Sequence, residues 1–385
     1  MARAMTVADV RPAREAVVDL AAIRGNVAAL RRHAEGAQVL AVVKADAYGH
    51  GLVPCAQAAL AGGATWLGTA LLEEALALRA AGVGGRVLAW LLTPGEPSLA
   101  TAVAADIDLS AAAPWTLADI GAAARSAGRR ARVHLCVDTG LSREGAPSPD
   151  WDALVSLALA AQERGDLTVV GIWSHLAWAD APGHPTIDRQ RAAFVDAVAR
   201  AQAAGLRPEV RHLANSAATL TRPDLHFDLV RPGIAVYGLS PVPEQGDPAS
   251  FGLRPAMTVR ARLALVKRIP AGSGVSYGHA WVAERDTTVG LVPLGYADGI
   301  PRHAGNSGPL LVAGRRRVVT GRVCMDQLVV DLGDDHAAAG DEVVVFGAGD
   351  DGGPTAHDWA DAAGSISYEI TTRLGPRVPR RWVSA

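Results

Sequence analysis

The sequence is poor in cysteine and aromatic residues and has no excess of charge of either sign. Only 3 of its 385 residues are cysteine (Cys55, Cys136 and Cys324), too few and too scattered for a disulfide framework or a zinc site. Lys and Arg number 37 and Asp and Glu number 39, a formal net charge of −2. This balance gives no electrostatic reason to expect a nucleic acid or an anionic membrane as partner.

Long hydrophobic runs are also missing. The longest uncharged stretch, residues 52–72, is interrupted by Pro54, Gln57 and two adjacent glycines, so it is a poor membrane span. The first residues, MARAMTVADVRPAR, contain no apolar segment typical of a signal peptide. We therefore expect a cytoplasmic globular protein, and its length predicts about two domains.

Short apolar runs alternate with Ala-rich helical patterns over the first two-thirds of the chain. The runs are uniformly apolar, as in parallel strands buried on both faces, and cover residues 39–43, 65–70, 87–92, 106–110, 132–138, 168–176, 209–214 and 229–238. Helical patterns between them include residues 73–82, 115–128 and 187–205. Eight such units predict an α/β fold with a (β/α)8 TIM-type barrel over residues 14–250. The alternative is an open doubly wound sheet, although no Gly-rich dinucleotide loop follows the first strand.

The pattern changes after residue 250. Period-two stretches separated by Gly, Pro and Asp cover residues 257–269, 287–296, 316–332 and 341–347. They predict a mainly antiparallel β-domain over residues 251–385, with residues 1–13 as a candidate addition to it. A helical segment over residues 366–375 follows.

Reactive groups of a barrel lie at the carboxyl ends of its strands. Here those ends supply Lys44, Trp90, Cys136, His175, Asn215, Ser216 and Arg231. Ser216 and an RPGI turn with the free amides of Gly233 and Ile234 suit a phosphate dianion, so a phosphorylated cofactor or substrate is predicted. Lys44 follows five apolar residues, and desolvation there favours an amine able to form an imine. Alternatively, Lys44 caps the strand and points to solvent.

The segment around Lys44, KADAYGHG, resembles the cofactor-attachment motif of alanine racemases, pyridoxal-phosphate enzymes with a barrel and a β-domain. Six further segments match in order: HLANSAAT (212–219), LVRPGIAVYG (229–238), VSYGHAW (275–281), GYADGIPR (295–302), GRVCMDQ (321–327) and ISYEITTRLGPRVPR (366–380). The resemblance implies a homodimeric isomerase that interconverts L- and D-alanine and provides D-alanine for peptidoglycan.

The resemblance also implies the two acid–base groups. Lys44 carries the cofactor and serves one face of the substrate α-carbon, and Tyr277, supplied by the other subunit, serves the opposite face. A tyrosine is a weak acid–base group at neutral pH and needs cationic neighbours, for which Arg231 and His175 are the candidates. Alternatively, Tyr277 is a sheet aromatic with its hydroxyl at the surface.

In this family the residue at Arg231 faces the pyridine nitrogen of the cofactor. Arginine keeps its proton, so the ring stays unprotonated and withdraws electrons more weakly. The proton then returns to the α-carbon before transamination competes. The alternative is an arginine paired on the barrel rim.

The remaining family positions complete the implied site. The cofactor is contacted by Tyr48, Trp90, His175, Asn215, Ser216, Gly233, Ile234 and Tyr368. The substrate carboxylate is held by Arg143 and the Met325 amide, and the approach is lined by Asp326, Tyr296, Asp298 and Arg302. Read without the resemblance, Ser216 is a helix N-cap, Trp90 a core residue and Arg143 a solvated charge. No spaced ligand set is present, so no metal is assigned.

Cys136 departs from the family pattern. Relatives usually have a lysine there, often carbamoylated, whose anionic end orients the substrate-binding arginine. A thiol is mostly neutral at pH 7 and is too short to replace a carbamate. We expect a small anion such as chloride, or a rotated acidic side chain, to take its place. Otherwise Cys136 packs as a small apolar residue and substrate binding is weaker.

Other functions remain open at this point. The chain could racemise another small amino acid or be a specialised or drug-tolerant paralogue. A barrel-type decarboxylase of basic amino acids would need a cysteine-bearing C-terminal loop and acidic side-chain recognition in place of VSYGHAW. A non-catalytic pyridoxal-phosphate carrier would be a lone barrel, which the β-rich pattern after residue 250 opposes.

Overall fold

The computed structural model describes residues 12–384 and divides them into two compact units. The barrel unit is Ala21–Arg254, and the β unit contains residues 12–20 and 255–384. The sequence places these boundaries at residues 13/14 and 250/251. The first division falls later in the structure because strand β1 (Arg14–Asp19) pairs antiparallel with Met257–Arg262 in the β unit.

The barrel unit contains one parallel sheet of eight strands. They are β2 (Gln38–Val42), β3 (Trp66–Thr69), β4 (Arg86–Ala89), β5 (Ile107–Ala111), β6 (Ala131–Cys136), β7 (Leu167–Trp173), β8 (Val210–His212) and β9 (Leu229–Val230). Neighbours in sequence pair from β2 to β8, and β2 also pairs with β9. The amide of Arg231 donates to the Ala214 carbonyl at 2.8 Å and joins the ends of β8 and β9. The predicted barrel is confirmed.

Helices follow the barrel strands and cover their outer faces. They are α1 (Leu20–His33), α2 (Lys44–Gly49), α3 (Leu52–Ala61), α4 (Leu72–Ala80), α5 (Leu99–Ala104), α6 (Pro114–Ala127), α7 (Ser148–Glu163), α8 (Pro185–Ala203) and α9 (Ser216–Thr221). The helical patterns of the sequence correspond to α4, α6 and α8. The predicted strand over residues 229–238 is wrong after Val230, since Pro232 lacks an amide donor and Ile234–Tyr237 forms a 3-10 helix.

The β unit is built from three sheets. Its further strands are β10 (Met257–Arg262), β11 (Leu265–Ile269), β12 (Gly274–Val275), β13 (Trp281–Val282), β14 (Thr287–Val292), β15 (Pro309–Val312), β16 (Arg315–Val318), β17 (Leu328–Gly333), β18 (Glu342–Phe346) and β19 (Arg380–Val383). The sheets have the orders β16-β15-β18-β10-β1-β19, β11-β14-β17 and β12-β13. All pairs are antiparallel except β1 with β19, which confirms the predicted β-domain.

Strand β10 buries every second residue, which is the period that the sequence pattern predicts. The long predicted strands are nevertheless broken: residues 257–269 form β10 and β11 in different sheets, and residues 316–332 contain β16 and β17. Two short helices, α10 (Ala356–Ala363) and α11 (Ser367–Thr372), follow, so the predicted segment 366–375 is helical over six residues. Within residues 12–384 no helix is both long and apolar enough to cross a membrane.

Candidate active site

Lys44 follows β2 and opens a turn with an uncommon backbone. The four residues after it, 45–48, have φ between 52° and 55°, the left-handed region, and none of them is glycine. Left-handed backbone costs L-residues about 1–2 kcal/mol each. Such strain persists only where surrounding contacts impose it, and it concentrates at functional sites.

Two carboxylates hold this turn. The Ala45 amide donates to Glu74 Oε1 at 2.6 Å, and the Ala70 amide donates to the other oxygen of Glu74 at 3.0 Å. The Leu52 amide donates to Asp46 Oδ1 at 2.7 Å. The turn at Lys44 is therefore tied to the starts of both α3 and α4.

Lys44 itself is half-buried, and its Nζ lies 5.7 Å from the centroid of a Trp90 ring. Burial, reinforced by the charge of Arg143, lowers the pKa of the ammonium group. A lowered pKa increases the fraction of neutral amine, the form that attacks a carbonyl carbon. The position and protonation of Lys44 thus suit imine formation.

Arg231 is the buried cation of the site, only 6% exposed. Its NH1 contacts His212 Nδ1 at 3.2 Å, and its NH2 donates to the Ser174 carbonyl at 2.7 Å and contacts His175 Nδ1 at 3.3 Å. The guanidinium carbon lies 4.9 Å from the centroid of the Trp173 ring. Burial lowers the pKa of Arg231 to about 10, so the group stays charged at neutral pH.

His175 is neutral. Burial first, and then the charges of Arg231 and Arg143, lowers the pKa of its imidazole to about 3. The expected cationic pair of Arg231 and His175 therefore reduces to one cation, Arg231. The sequence predicts the contact between them, but the protonation state depends on the burial of the imidazole and on the cations around it.

Backbone amides and hydroxyls converge after β9. Ser216 Oγ accepts from the amides of Gly233 at 2.8 Å and Ala235 at 3.3 Å. A Cβ on Gly233 would overlap the Tyr48 hydroxyl, so only glycine fits there. Two hydroxyls and a turn of amides in one place form a donor set that fits a phosphate dianion.

Asn215, and not Ser216, is the N-cap of α9. Its backbone is extended (φ −90°, ψ −166°), and its side-chain oxygen accepts from the Ala218 amide at 3.1 Å. The helix-cap interpretation of Ser216 is therefore wrong. Because Asn215 performs that role, the Ser216 hydroxyl is directed to the Gly233 turn.

Cys136 ends β6 and is 1% exposed. Burial raises the pKa of its thiol well above the usual range, so Cys136 supplies no anion. The loop after it is held by Asp138, whose Oδ1 accepts from the Gly140 amide at 2.8 Å, and by Gly145, where a Cβ would overlap the Asp138 amide. This loop carries Arg143.

Glu144 is a candidate functional residue that the sequence analysis does not single out. Its Oε1 accepts from NH2 of Arg143 at 2.7 Å. Its negative charge also raises the pKa of Lys44 and of Arg231, against the effect of burial. The sequence feature that could have identified Glu144 is its position next to Arg143 in a chain with Cys136 in place of the family lysine.

Several predicted residues belong to the β unit. Tyr277 begins the 3-10 helix Tyr277–His279 and is 71% exposed, and Met325 is 53% exposed. Ser276 before it has φ 61° and ψ −173°, a region occupied almost only by glycine. The β unit also contains Tyr296, Arg302 and Tyr368, in Tyr296–Asp298, Arg302–Ala304 and α11 respectively.

Asp298 and Asp326 are joined through a residue that the sequence analysis missed. Arg377 Nε lies 3.1 Å from Asp298 Oδ1, and its NH2 donates to Asp326 Oδ1 at 2.7 Å. Asp298 is completely buried and also accepts from the Gly295 amide at 2.9 Å. This network fixes the loops around Tyr296 and Met325.

The two units match the two domains of one enzyme family. The family profile described as alanine racemase, N-terminal domain, matches residues 18–241, and the C-terminal domain profile matches residues 256–382. The chain belongs to the alanine racemase family. Alanine racemases are pyridoxal-phosphate-dependent isomerases that interconvert the alanine enantiomers, so the predicted family and activity are confirmed.

Individual alanine racemases are similar over almost their whole length. The enzyme of Frankia casuarinae is 62% identical over 368 residues, covering 96% of both chains. That of Streptomyces coelicolor is 61% identical, covering 96% of this chain and 95% of its own. A crystal structure of alanine racemase from D-cycloserine-producing Streptomyces lavendulae has a TM-score of 0.96 at 58% identity and covers 98% of each chain. The decarboxylase and carrier alternatives are not favoured.

Proposed function

We propose that this racemase exchanges the α-proton of alanine with Lys44 on one face and the partner subunit's Tyr277 on the other. The observation that carries the proposal is the half-buried Lys44 amine, held by a strained turn in the unit that also provides Arg231 and a phosphate-type donor set. The D-alanine formed would serve peptidoglycan synthesis.

The donor set of the barrel unit fits pyridoxal phosphate. Lys44 would hold its carbonyl carbon, Trp90 would pack on the ring, and Arg231 would face the ring nitrogen. The phosphate would be bound by Tyr48, Ser216 and the amides of Gly233 and Ile234, with Tyr368 as a further ligand. When bound, this cofactor withdraws electrons from the α-carbon of the amino acid and so acidifies its hydrogen.

The chain's own groups then move the proton. The lowered pKa of Lys44 increases the fraction of neutral amine, which accepts a proton from one face, and the Tyr277 hydroxyl donates one to the other. In the reverse direction the two groups exchange roles. Arg231 keeps its own proton, which limits electron withdrawal at the ring and favours return of the proton to the α-carbon.

The substrate carboxylate would bind to Arg143 and to the amide of Met325. Arg143 needs an anion to orient it, and the Cys136 thiol is neutral. We assign this role to Glu144, whose carboxylate already accepts from Arg143 at 2.7 Å. Glu144 would then be the rotated acidic side chain expected in place of the family lysine.

Subunit complementation tests the shared site. Lys44→Ala and Tyr277→Phe are each expected to abolish racemisation. If a symmetric dimer combines Lys44 of one subunit with Tyr277 of the other, unfolding and refolding the two variants together restores about a quarter of wild-type activity. Each variant refolded alone is the control. Absence of recovery, with mixed dimers demonstrated by differential tags, would overturn the assignment in trans.

A further inference from the structure

A chain of buried polar side chains crosses the barrel interior and ends on Arg231. Asp108 in β5, His134 in β6 and His212 in β8 are 0–1% exposed. Asp108 Oδ2 lies 3.1 Å from His134 Nε2, and His134 Nδ1 lies 2.9 Å from His212 Nε2. His212 Nδ1 in turn lies 3.2 Å from NH1 of Arg231. The chain thus leads from near the amino end of β5 to the carboxyl end of β9.

The Arg231 guanidinium at one end and the Asp108 carboxylate at the other determine the direction in which each hydrogen bond is donated. A guanidinium can only donate, so His212 Nδ1 accepts from Arg231, and the single proton of His212 is on Nε2. That proton is donated to His134 Nδ1, which places the proton of His134 on Nε2, from where it is donated to the Asp108 carboxylate. Both imidazoles are therefore neutral Nε2–H tautomers.

Neighbouring residues pack closely against both imidazole rings. A Cβ on Gly171 in β7 would overlap the His134 ring, so the missing side chain lets this ring reach from β6 to β8 across the strand between them. The Trp173 ring stacks on His212, with a centroid distance of 5.9 Å and an interplanar angle of 6°. Trp66 contacts His134 edge to face at 5.4 Å.

Within residues 12–384, the hydrogen bonds of Arg231 reach imidazole nitrogens and carbonyl oxygens but no carboxylate. Asp108 is anchored by Arg132 Nε at 2.6 Å and Arg86 NH2 at 3.2 Å. Aligned hydrogen bonds polarise one another in a low-dielectric interior. The imidazoles therefore carry the influence of the Asp108 charge to the nitrogen that faces Arg231.

We propose that Asp108, His134 and His212 are positioning residues for racemisation, because their one-directional hydrogen-bond chain holds the Arg231 guanidinium in place. The proposal rests on the proposed function, in which Arg231 faces the cofactor ring nitrogen. In this proposal none of the three residues contacts the substrate.

The first test is nitrogen NMR of the wild-type holoenzyme labelled with 15N-histidine, with signals assigned by omission in His134→Asn and His212→Asn. Both rings are expected to be neutral and protonated at Nε2. Protonation of either ring at Nδ1, or at both nitrogens, would contradict the proposed hydrogen-bond chain. This result does not depend on what Arg231 faces, so it is separate from failure of the complementation experiment.

The second test is Asp108→Asn, which removes the anion and lets an amide donor face His134. We expect altered nitrogen shifts at both histidines and a fall in kcat of about 10- to 100-fold, the size seen when groups supporting a ligand-binding residue are removed. The KM for alanine should change by less than about threefold, because Arg143 and Glu144 are not part of the chain.

Asp166→Asn is the matched control. Asp166 is also buried and also binds two arginines, Arg125 at 2.8 Å and Arg164 at 3.1 Å, but its described hydrogen bonds include no histidine. Equal losses of kcat in the two variants would overturn the positioning role. Should Asp108→Asn not fold, Gly171→Ala displaces the His134 ring without changing a charge, and it is expected to lower kcat in the same way; unchanged kcat would contradict the proposal.

Discussion

The two proposed acid–base residues differ in how much of their environment this chain provides. Lys44 is half-buried beside Trp90, its pKa is lowered by its surroundings, and its turn is held by Glu74 and Asp46. Tyr277 is 71% exposed at the start of a 3-10 helix. The barrel unit therefore presents a preorganised amine, whereas the β unit presents a largely exposed phenol.

We expect the largest effects from substituting Lys44 and Tyr277, and borohydride trapping of the cofactor should distinguish the two variants. Borohydride reduction traps an imine on lysine, and the chain contains two lysines, Lys44 and the exposed Lys267. Lys44→Ala should lose both racemisation and trapping, whereas Tyr277→Phe should lose racemisation by at least about 100-fold and keep trapping. Mass spectrometry of the reduced enzyme locates the adduct, with Lys267→Arg as the control.

If trapping occurs at Lys267, or if Tyr277→Phe still racemises alanine in both directions, the comparison fails. In the first case the barrel turn is not the cofactor site. In the second case the exposed phenol is not needed for proton transfer.

A fall in pH should lower the free energy of unfolding, in part through His175 of the barrel unit. Its pKa is about 3 in the folded protein and near 6.5 in an unfolded chain. Between these values the unfolded chain binds the proton and the folded one does not, so the free energy of unfolding decreases as pH falls. The cost at pH 5 is about 2 kcal/mol from this group.

Thermal unfolding at pH 7 and pH 5 measures this effect. His175→Gln keeps a hydrogen-bond acceptor for Arg231 but cannot titrate, so its unfolding midpoint should fall less than that of the wild type. An equal fall in both proteins would show that His175 is not held neutral.

Removing the anion beside Arg143 should affect substrate binding more than turnover. Glu144→Gln keeps the shape of the side chain but loses the charge-assisted contact with Arg143. Because this pair is partly exposed, the expected rise in KM for L-alanine is about threefold to tenfold, with a smaller change in kcat. Glu163→Gln, an exposed change in α7, is the control.

Chloride titration at constant ionic strength sharpens this test. If Glu144 is the orienting anion, wild-type KM should not respond to chloride, while Glu144→Gln should recover affinity as chloride rises. A chloride response in the wild type would favour a bound small anion, and an unchanged KM in the variant would exclude the assigned role of Glu144.

The smallest effect concerns the strained backbone on the barrel side. Ala45 is exposed and has φ 54°, so Ala45→Gly should relieve left-handed strain and raise the free energy of unfolding by up to about 1 kcal/mol. Ala193→Gly, at an exposed position inside α8, should instead lower it by about 1 kcal/mol. Chemical denaturation of both variants decides whether the two changes have opposite signs.

The fold is predictable from sequence because the spacing of apolar residues within each strand and helix is a local property. All eight barrel strands are visible as apolar runs, since parallel strands in a barrel are buried on both faces. The strand β1, the edge strand β19 and the breaks inside residues 257–269 and 316–332 are not predicted, because pairing with distant segments decides where those strands begin and end.

The candidate site is predictable from sequence only in part. Motif order identifies Lys44, Arg231, Ser216 and Gly233, and the structure places all four in the barrel unit. It does not predict Glu144, whose proposed role depends on a neutral thiol at Cys136. Nor does it predict the left-handed turn after Lys44, because alanine and tyrosine have no intrinsic preference for positive φ.

By itself, the amino-acid sequence determined the family, the barrel followed by a β-domain, and the residues that follow each strand, because these depend on local patterns and on side-chain chemistry. Only the tertiary structure decided protonation and partnership: His175 is neutral, Glu144 faces Arg143, and Asp108 is connected to Arg231 through two imidazoles. The physical reason is that pKa values and hydrogen-bond directions depend on burial and on distances between groups far apart in sequence.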